Sequence, residues 1–307
     1  MLKRLFYILK PIVPRKIQLY LRKYLILTKL PAYRDAWPIL KGSEKKPEGF
    51  TGWPDNKKFA FVLTHDVEHK KGYKRVLSIM EIEKQFGFVS SYNFVPERDY
   101  VVERELLNTL KNNGFEYGVH GLNHDGKLFS SEEVFLKRAS RINQYLKEWD
   151  AVGFRAPAMH HNLDWIGELD IQYDLSTFDT DPFEPQPDGM GTIFPFVVNG
   201  DNDDKSYVEM PYTLVQDFTL FILMKEKDIR IWQEKIDWIA DNGGMVLVNV
   251  HPDYICFGNN EGIEEFSIRF YTDLLSYVKK NYYNQYWNAL PRDVSNYILN
   301  ISQLNIN

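Results

Sequence analysis

The chain has 307 residues, 44% of them hydrophobic and 26% charged, a composition typical of a soluble globular protein with a substantial core. Its net charge of −5 argues against a nucleic-acid partner, since nucleic-acid-binding proteins are usually basic. The single cysteine, Cys256, excludes an intrachain disulfide as well as thiol-based zinc-finger and redox chemistry.

The first 30 residues form a basic segment unlike the rest of the chain. They include eight lysines and arginines and no acid, with Leu, Ile, Phe and Tyr between them. Lys10, Pro11 and Pro14 interrupt every apolar run, so the segment predicts neither a membrane-spanning helix nor a secretory signal. Such a segment suits two roles equally: peripheral contact with an anionic membrane surface, or packing on the domain or a partner protein.

A polar stretch rich in glycine and proline follows at residues 41–58 and predicts a linker. Beyond it, charged segments with helical periodicity end at a glycine, and short apolar segments follow them. Helices are predicted at 74–86, 103–113 and 229–242, and strands at 89–95, 115–119 and 245–250. Strands that alternate with helices pair in parallel, which predicts an α/β fold, either a (β/α) barrel or a doubly wound sheet. We expect a basic arm with its linker at 1–55 and one domain at 56–307.

Ionisable residues appear where the predicted strands end. Asp66 and Glu68 close an apolar run, His120 follows the third strand, Arg155 follows a short apolar segment, and His251 follows the last strand. Chemistry in βα barrels takes place at the carboxyl ends of the strands. Acids at the end of a buried strand are also costly unless they are paired or bind a metal. We therefore predict an active site at this rim of the sheet.

A histidine pair with a spacing of four residues, His120 and His124, predicts a metal site. If the chain turns helically after the strand, both imidazoles share one face and reach one ion. A carboxylate and two imidazoles are a common ligand set for a catalytic divalent metal, and a second carboxylate can then take a proton from a metal-bound water. His65 and His69 flank the acids and are alternative ligands, although His65 should face the opposite side of its strand.

The remaining polar residues of the rim have more than one interpretation. Arg155 lies in a nearly uncharged stretch and should pair with a carboxylate, for which Asp66, Asp179 and Asp181 are candidates. His251 suits a catalytic acid better than a structural hydrogen bond. The sequence lacks the glycine, serine and His-Glu-x-x-His motifs of serine hydrolases, nucleotide-binding folds and zincin proteases.

In this order, across residues 60 to 255, the motifs resemble those of the polysaccharide deacetylase family, the nodulation-type deacetylase domain of carbohydrate esterase family four. The resemblance implies a distorted (β/α) barrel of mostly parallel strands. By motif, it implies the following roles: Asp66 as base, Arg155 as its positioning residue, Asp179 as the acid that holds this arginine, His251 as catalytic acid, Ala158 as the backbone donor to the oxyanion, and Glu68, His120 and His124 as ligands of a divalent metal, with zinc expected.

Two positions depart from the family pattern. The metal-binding acid is usually an aspartate, whereas Glu68 is one methylene longer. An aromatic residue usually follows the Arg-x-Pro motif, whereas this chain has Ala158, which keeps the backbone donor but removes one wall of the cleft.

The resemblance implies a metal-dependent hydrolase that removes an N-acetyl group from an amino sugar or polysaccharide. Two alternatives remain open: a small-molecule amide or ureide hydrolase on the same fold, and a non-catalytic carbohydrate-binding protein, which the glutamate at position 68 motivates. We expect the protein in the cytoplasm, with peripheral contact at the inner membrane face through residues 1–30. The sequence does not specify an oligomeric state.

Overall fold

The computed structural model describes residues 13–200 and 205–304. Its strands are β1 Phe59–Val67, β2 Ser90–Phe94, β3 Glu116–His120, β4 Gly153–Arg155, β5 Tyr173–Asp174, β6 Phe196–Val198, β7 Tyr207–Glu209, β8 Met245–Val250, β9 Ile255–Cys256, β10 Phe266–Ser267 and β11 Tyr286–Asn288. Its α-helices are α1 Arg15–Lys29, α2 Lys70–Tyr73, α3 Val76–Phe86, α4 Arg104–Asn112, α5 Glu132–Trp149, α6 Leu163–Ile166, α7 Arg230–Asn242, α8 Ile268–Asn281 and α9 Pro291–Leu304.

Nine of these strands form one curled sheet in the described part of the chain. β1 pairs in parallel with β8 on one edge and with β11 and β2 on the other, and the sheet continues through β3, β4, β5, β7 and β6. Only the β6–β7 pair is antiparallel among these strands. The backbone N–H groups of Thr213 and Leu214 donate to the carbonyl of Leu247, so an irregular segment joins the β7 side to β8. The architecture is a distorted (β/α) barrel of mostly parallel strands, as the family resemblance implied.

The helix and strand pattern predicted from the sequence is confirmed. α3, α4 and α7 each end within about two residues of the expected position, and β2, β3 and β8 follow them. Gly87 and Gly243 cap α3 and α7 with φ angles of 79° and 73°. A side chain would be strained in this left-handed conformation, so glycine marks each helix end in the sequence.

The segment predicted as a linker packs on the barrel. Trp53 in this segment and Trp37 shortly before it are buried in the same apolar core as β1, and the Trp53 indole N–H donates to the carbonyl of Gly243 at 2.9 Å. The Ile193 N–H donates to the carbonyl of Ser43 at 3.0 Å. Glycine and proline therefore mark an irregular path over the barrel surface here. The division at residue 55 remains a prediction.

Candidate active site

The carboxyl ends of β1, β3, β4 and β8 bring four ionisable side chains together inside the barrel mouth. Asp66, His120, Arg155 and His251 are all buried. The Oδ2 atom of Asp66 lies 3.9 Å from Nε2 of His120 and 4.0 Å from Nε2 of His251. One carboxylate oxygen therefore lies between two imidazoles. The sequence predicted this meeting because parallel strands carry their carboxyl ends to one rim.

The Asp66 carboxylate has hydrogen-bond donors on both of its oxygens. Arg155 Nη1 and Asn93 Nδ2 each donate to Oδ1 at 3.1 Å, and Asn249 Nδ2 donates to Oδ2 at 2.9 Å. Burial alone would raise the pKa of Asp66, but the charge of Arg155, together with the hydrogen bond from Asn249, outweighs it and holds the pKa well below its usual range. Asp66 is therefore ionised at neutral pH, the state that a general base needs.

The guanidinium of Arg155 is held by neighbours across the barrel interior. Its Nη1 donates to Asp66 and, at 2.9 Å, to Thr64 Oγ1 and Asn249 Oδ1, while its Nε donates to the carbonyl of Leu175 at 2.9 Å. Thr64 and Asn249 interrupt otherwise apolar strands, which is the signal in the sequence that could have identified them. These contacts fix the position of the arginine that orients Asp66.

The expectation that Asp179 or Asp181 holds Arg155 is wrong. Asp179 accepts a hydrogen bond from Lys235 Nζ at 2.5 Å, and Asp181 accepts one from the Tyr212 hydroxyl at 3.0 Å. Burial raises the pKa of Asp179 to about 6, and Lys235 opposes that rise. Asp179 is therefore one half of a buried structural ion pair, and no catalytic role is retained for it.

Glu68, His120 and His124 form a group of potential metal ligands. Their ligand atoms all lie within 4.8 Å of one another, and Nε2 of His124 is 2.9 Å from Oε1 of Glu68. Nδ1 of His120 lies 3.1 Å from the carbonyl of Arg155, which can only accept, so this nitrogen carries the proton. The lone pair of His120 is then on Nε2, a buried atom with no hydrogen-bond partner in the described structure. Imidazole and carboxylate ligands with an unpartnered nitrogen fit a zinc-type ion.

The two histidines meet through a loop rather than through the helical turn that we expected. Gly121, His124 and Gly126 all have positive φ angles, of 59°, 52° and 72°. A Cβ atom on Gly121 would lie 2.6 Å from ring carbons of Pro157, so only glycine allows this approach. The imidazole centroids of His120 and His124 are 5.1 Å apart as a result.

The longer side chain of Glu68 is held by residues that follow β8. The Tyr254 hydroxyl donates to Oε2 of Glu68 at 2.8 Å, which leaves Oε1 directed at His124. Asp253 accepts from the backbone N–H of Glu68 at 2.8 Å and from that of Gly72 at 2.8 Å. The glutamate therefore reaches the ligand group. Asp253 and Tyr254 were not among the residues predicted for the site, although they lie only two and three residues after His251.

A carboxylate that the sequence did not point to holds His251. Asp217 is fully buried; its Oδ1 lies 2.7 Å from Nδ1 of the imidazole, and its Oδ2 accepts the backbone N–H of His251 at 2.8 Å. Burial lowers the pKa of His251, but Asp217 outweighs this effect and raises the pKa to about 10. His251 is therefore protonated at neutral pH.

The other flanking histidines lie outside this group. His65 faces away from the rim, as expected, with Nδ1 3.0 Å from the carbonyl of Val250 and Nε2 2.8 Å from Glu83. His69 is exposed and lies 3.2 Å from Asp99. Neither histidine is a candidate ligand in this structure.

Ala158 lies in the turn Pro157–Met159 that follows β4, with a φ angle of 55° and an exposed side chain. Its role as a backbone donor to an oxyanion stays a prediction.

The buried pair between Asp179 and Lys235 gives a prediction about stability. Replacing Lys235 with methionine leaves Asp179 buried beside an apolar side chain, and the free energy of unfolding should fall by about 3–5 kcal/mol. Denaturant unfolding measures this change. The double variant Asp179→Leu with Lys235→Met should recover most of the loss, because it removes the unpaired charge. A single variant as stable as the parent would contradict the assignment.

Comparison with known proteins bears on the fold. No family model matches the sequence, and no curated protein matches it. A candidate polysaccharide deacetylase from Mycobacterium smegmatis has a similar structure, with a TM-score of 0.60, 19% sequence identity, and coverage of 84% of this chain and 96% of that one. This likeness shows that the chain has the polysaccharide deacetylase fold.

Two further structures are more distant. One is the Xyl-CE4 domain of a multidomain xylanase from the hindgut metagenome of Trinervitermes trinervoides, with a TM-score of 0.46, 12% identity, and coverage of 79% and 91%. The other is a candidate polysaccharide deacetylase involved in O-antigen biosynthesis from Bordetella bronchiseptica, with a TM-score of 0.44, 16% identity, and coverage of 82% and 93%. Both scores are too low to carry an argument.

Proposed function

We propose that this protein is a metal-dependent hydrolase that removes an N-acetyl group from an amino sugar or a polysaccharide. The observation that carries the proposal is the position of the Asp66 carboxylate between His120 and His251, beside a group of metal ligands, on a barrel of the deacetylase type. A buried ionised base and a buried protonated acid beside a group of metal ligands suit amide hydrolysis.

The proposed metal ligands are Glu68, His120 and His124, and zinc is the ion that we propose. When bound, such an ion polarises the acetamide carbonyl and lowers the pKa of a coordinated water. His120 offers Nε2 because its Nδ1 proton is held on the carbonyl of Arg155. Tyr254 orients Glu68 through Oε2 and so keeps Oε1 available.

Asp66 supplies the base in this proposal. Its Oδ2 atom takes one proton from the attacking water, whose oxygen bonds to the acetyl carbon. Arg155 and Asn249 hold the carboxylate in place and keep it ionised before the reaction. The backbone N–H of Ala158 is the proposed donor to the oxyanion that forms on the carbonyl oxygen.

His251 supplies the acid. Asp217 bonds to Nδ1 and stabilises the imidazolium, so the Nε2 proton is the one on the side of Asp66. This proton passes to the amine nitrogen as the carbon–nitrogen bond breaks, which yields acetate and the free amine. Arg155 therefore keeps the base Asp66 ionised, and Asp217 keeps the acid His251 protonated.

Acetate release from N-acetylglucosamine oligomers, a sugar nucleotide and a lipid-linked sugar, compared with release of amine from simple amides and ureides, tests the proposed activity. Release from an acetylated sugar supports it, whereas hydrolysis of ureides alone would favour the small-molecule alternative. Glycan binding without hydrolysis, by protein with metal bound, would favour a non-catalytic role. The position of Glu68 within the ligand group removes the observation that first motivated that role.

Loss of the Asp217 charge should change the pH dependence of the reaction. The Asp217→Asn variant loses the carboxylate that raises the pKa of His251, so that pKa should fall. A catalytic acid is active only when protonated, so activity is lost as pH rises through its pKa. The alkaline limb of kcat/KM should therefore move to lower pH by at least about one unit. The exposed Asp228→Asn variant is the control, and an unchanged alkaline limb in Asp217→Asn would contradict the role of His251.

We also propose that the protein makes peripheral contact with a membrane through residues 1–30. Within 13–200 and 205–304, the structure has no helix of sufficient length and hydrophobicity to cross a bilayer. Residues 1–12 lie outside the described residues, so the described support comes from α1.

A further inference from the structure

Helix α1 presents an apolar surface to solvent. Six of its large apolar side chains have exposed fractions between 46% and 68%: Ile17, Tyr20, Leu21, Tyr24, Leu25 and Leu27. The other exposed large apolar residues among those described lie in the turn after α1, on other helices and on loops. A cluster of this kind on one helix marks an interaction surface, whereas scattered exposed residues are normal.

The arrangement of α1 around its axis is that of an interfacial helix. At about 100° per residue, the six apolar side chains, which we name the outer stripe, cover an arc of about 160°. Lys16 and Lys23 border this stripe on one side and Lys29 on the other. Ile26 lies on the opposite side and is buried against the protein. Lysines at the border can reach headgroups while the stripe enters the acyl boundary, where tyrosine is also favourable.

The inner face of α1 lies close to the proposed catalytic site. Arg15 forms an ion pair with Glu264, and the guanidinium carbon of Arg22 lies 4.9 Å from the ring centroid of Phe218. Phe218 in turn packs on Tyr254, with ring centroids 5.0 Å apart, and Tyr254 bonds to Glu68. A surface bound by the outer stripe would therefore lie about one helix diameter, ~10–12 Å, from Phe218, with Tyr254 between Phe218 and the rim residue Glu68.

The distribution of charge along the chain favours a lipid surface, rather than a second copy of this chain, as the partner of the outer stripe. Residues 1–30 hold eight of the 37 basic residues and none of the 42 acids, so residues 31–307 carry 29 basic residues and a net charge of −13. Two outer stripes packed together would bring two cationic segments into contact. An anionic bilayer attracts this segment, at about 1 kcal/mol per Lys or Arg near the surface, and repels the acidic body.

We propose that the outer stripe of α1 docks the protein on an anionic lipid bilayer, and that the acetylated sugar is presented there on a lipid anchor. The second part rests on the proposed deacetylase function. The bilayer then holds the reacting sugar beside the barrel mouth, so the effective concentration of substrate at the site is raised without any new contact to the sugar.

Sedimentation of the full chain with vesicles of equimolar phosphatidylcholine and phosphatidylglycerol tests the docking. The Leu21→Ser/Leu25→Ser variant should bind at least about tenfold more weakly, since two partly exposed leucines lose their burial in lipid. The matched control is Leu77→Ser/Leu136→Ser, because both of these leucines are 45% exposed and lie on other helices. The control should bind as the parent does, and pure phosphatidylcholine vesicles should bind the parent weakly.

Further readouts decide between the proposals. If circular dichroism shows that Leu21→Ser/Leu25→Ser does not fold, the Lys16→Gln/Lys23→Gln variant replaces it. This variant should bind vesicles more weakly than the parent, and its binding should depend less on salt concentration. Equal binding of the parent and a folded stripe variant would overturn the docking, as would a stable dimer that buries the stripe in solution.

With vesicles bound, turnover of a lipid-anchored N-acetylated sugar should exceed that of the same soluble sugar, and the stripe variant should lose only this advantage. Turnover of both forms at equal rates would overturn the lipid-linked substrate but leave the deacetylase intact, whereas no turnover of either form, with docking observed, would overturn the deacetylase instead.

Discussion

Replacing Asp66 with asparagine should reduce the rate of acetate release by about a thousandfold, since a positioned general base contributes roughly 10²–10⁴ to such rates. Asparagine has nearly the same shape as aspartate and keeps an oxygen that can accept from Arg155, but it cannot take a proton from water. Because Asp66 is not among the proposed metal ligands, the variant should still bind one metal ion. The measurements are kcat on an N-acetylated sugar and metal content by elemental analysis.

The matched control for this variant is Asp228→Asn. Asp228 also forms an ion pair with an arginine, Arg230, at 2.9 Å, but it is exposed and lies outside the catalytic group. Its replacement should leave kcat unchanged. If Asp66→Asn retained more than about a tenth of the parent activity, Asp66 could not be the base. A folded Asp66→Asn variant without metal would instead place Asp66 in the ligand set.

Replacing His120 with alanine should remove zinc binding in the accessible concentration range. Loss of a residue that merely orients a ligand costs about 10–100-fold in affinity, so loss of one of three ligands should cost at least about a hundredfold. Isothermal titration calorimetry with zinc measures the affinity directly, without any substrate. Acetate release should be lost in parallel, because the remaining Glu68 and His124 cannot hold the ion.

The control for the metal site is His69→Ala, since His69 is exposed and lies beside Asp99 rather than in the ligand group. This variant should bind zinc as the parent does. Unchanged zinc affinity in His120→Ala, or a large loss in His69→Ala, would show that the ion is held by other residues. Either result would remove the basis for a metal role of Glu68.

The proposed deacetylase and the proposed membrane docking depend on different parts of the molecule. Asp66 and His251 are buried inside the barrel mouth, whereas Leu21 and Leu25 are exposed on α1. Variants at the two places should therefore separate the chemistry from the location of the enzyme.

The sequence by itself determined the alternation of helices and strands and the rim to which the chemistry is delivered. Hydrophobic periodicity and glycine caps are local features, so Gly87 and Gly243 mark helix ends that can be recognised from neighbouring residues alone. Parallel strands share a direction, which is why Asp66, His120, Arg155 and His251 could be assigned to one rim from their positions after strands.

Only the tertiary structure decided which side chains hold those residues in place. Asp217 lies 34 residues before His251 along the chain, and nothing local to either residue predicts their contact. For Arg155, the sequence left Asp66, Asp179 and Asp181 open as partners and the family resemblance implied Asp179, whereas in the structure the guanidinium donates to Asp66, Thr64 and Asn249. Hydrogen bonds between distant segments depend on how the barrel closes, and closure here runs through an irregular segment without periodicity. The chemistry-bearing residues are therefore visible in the order of the chain, whereas the charges that set their protonation appear only when the chain is folded.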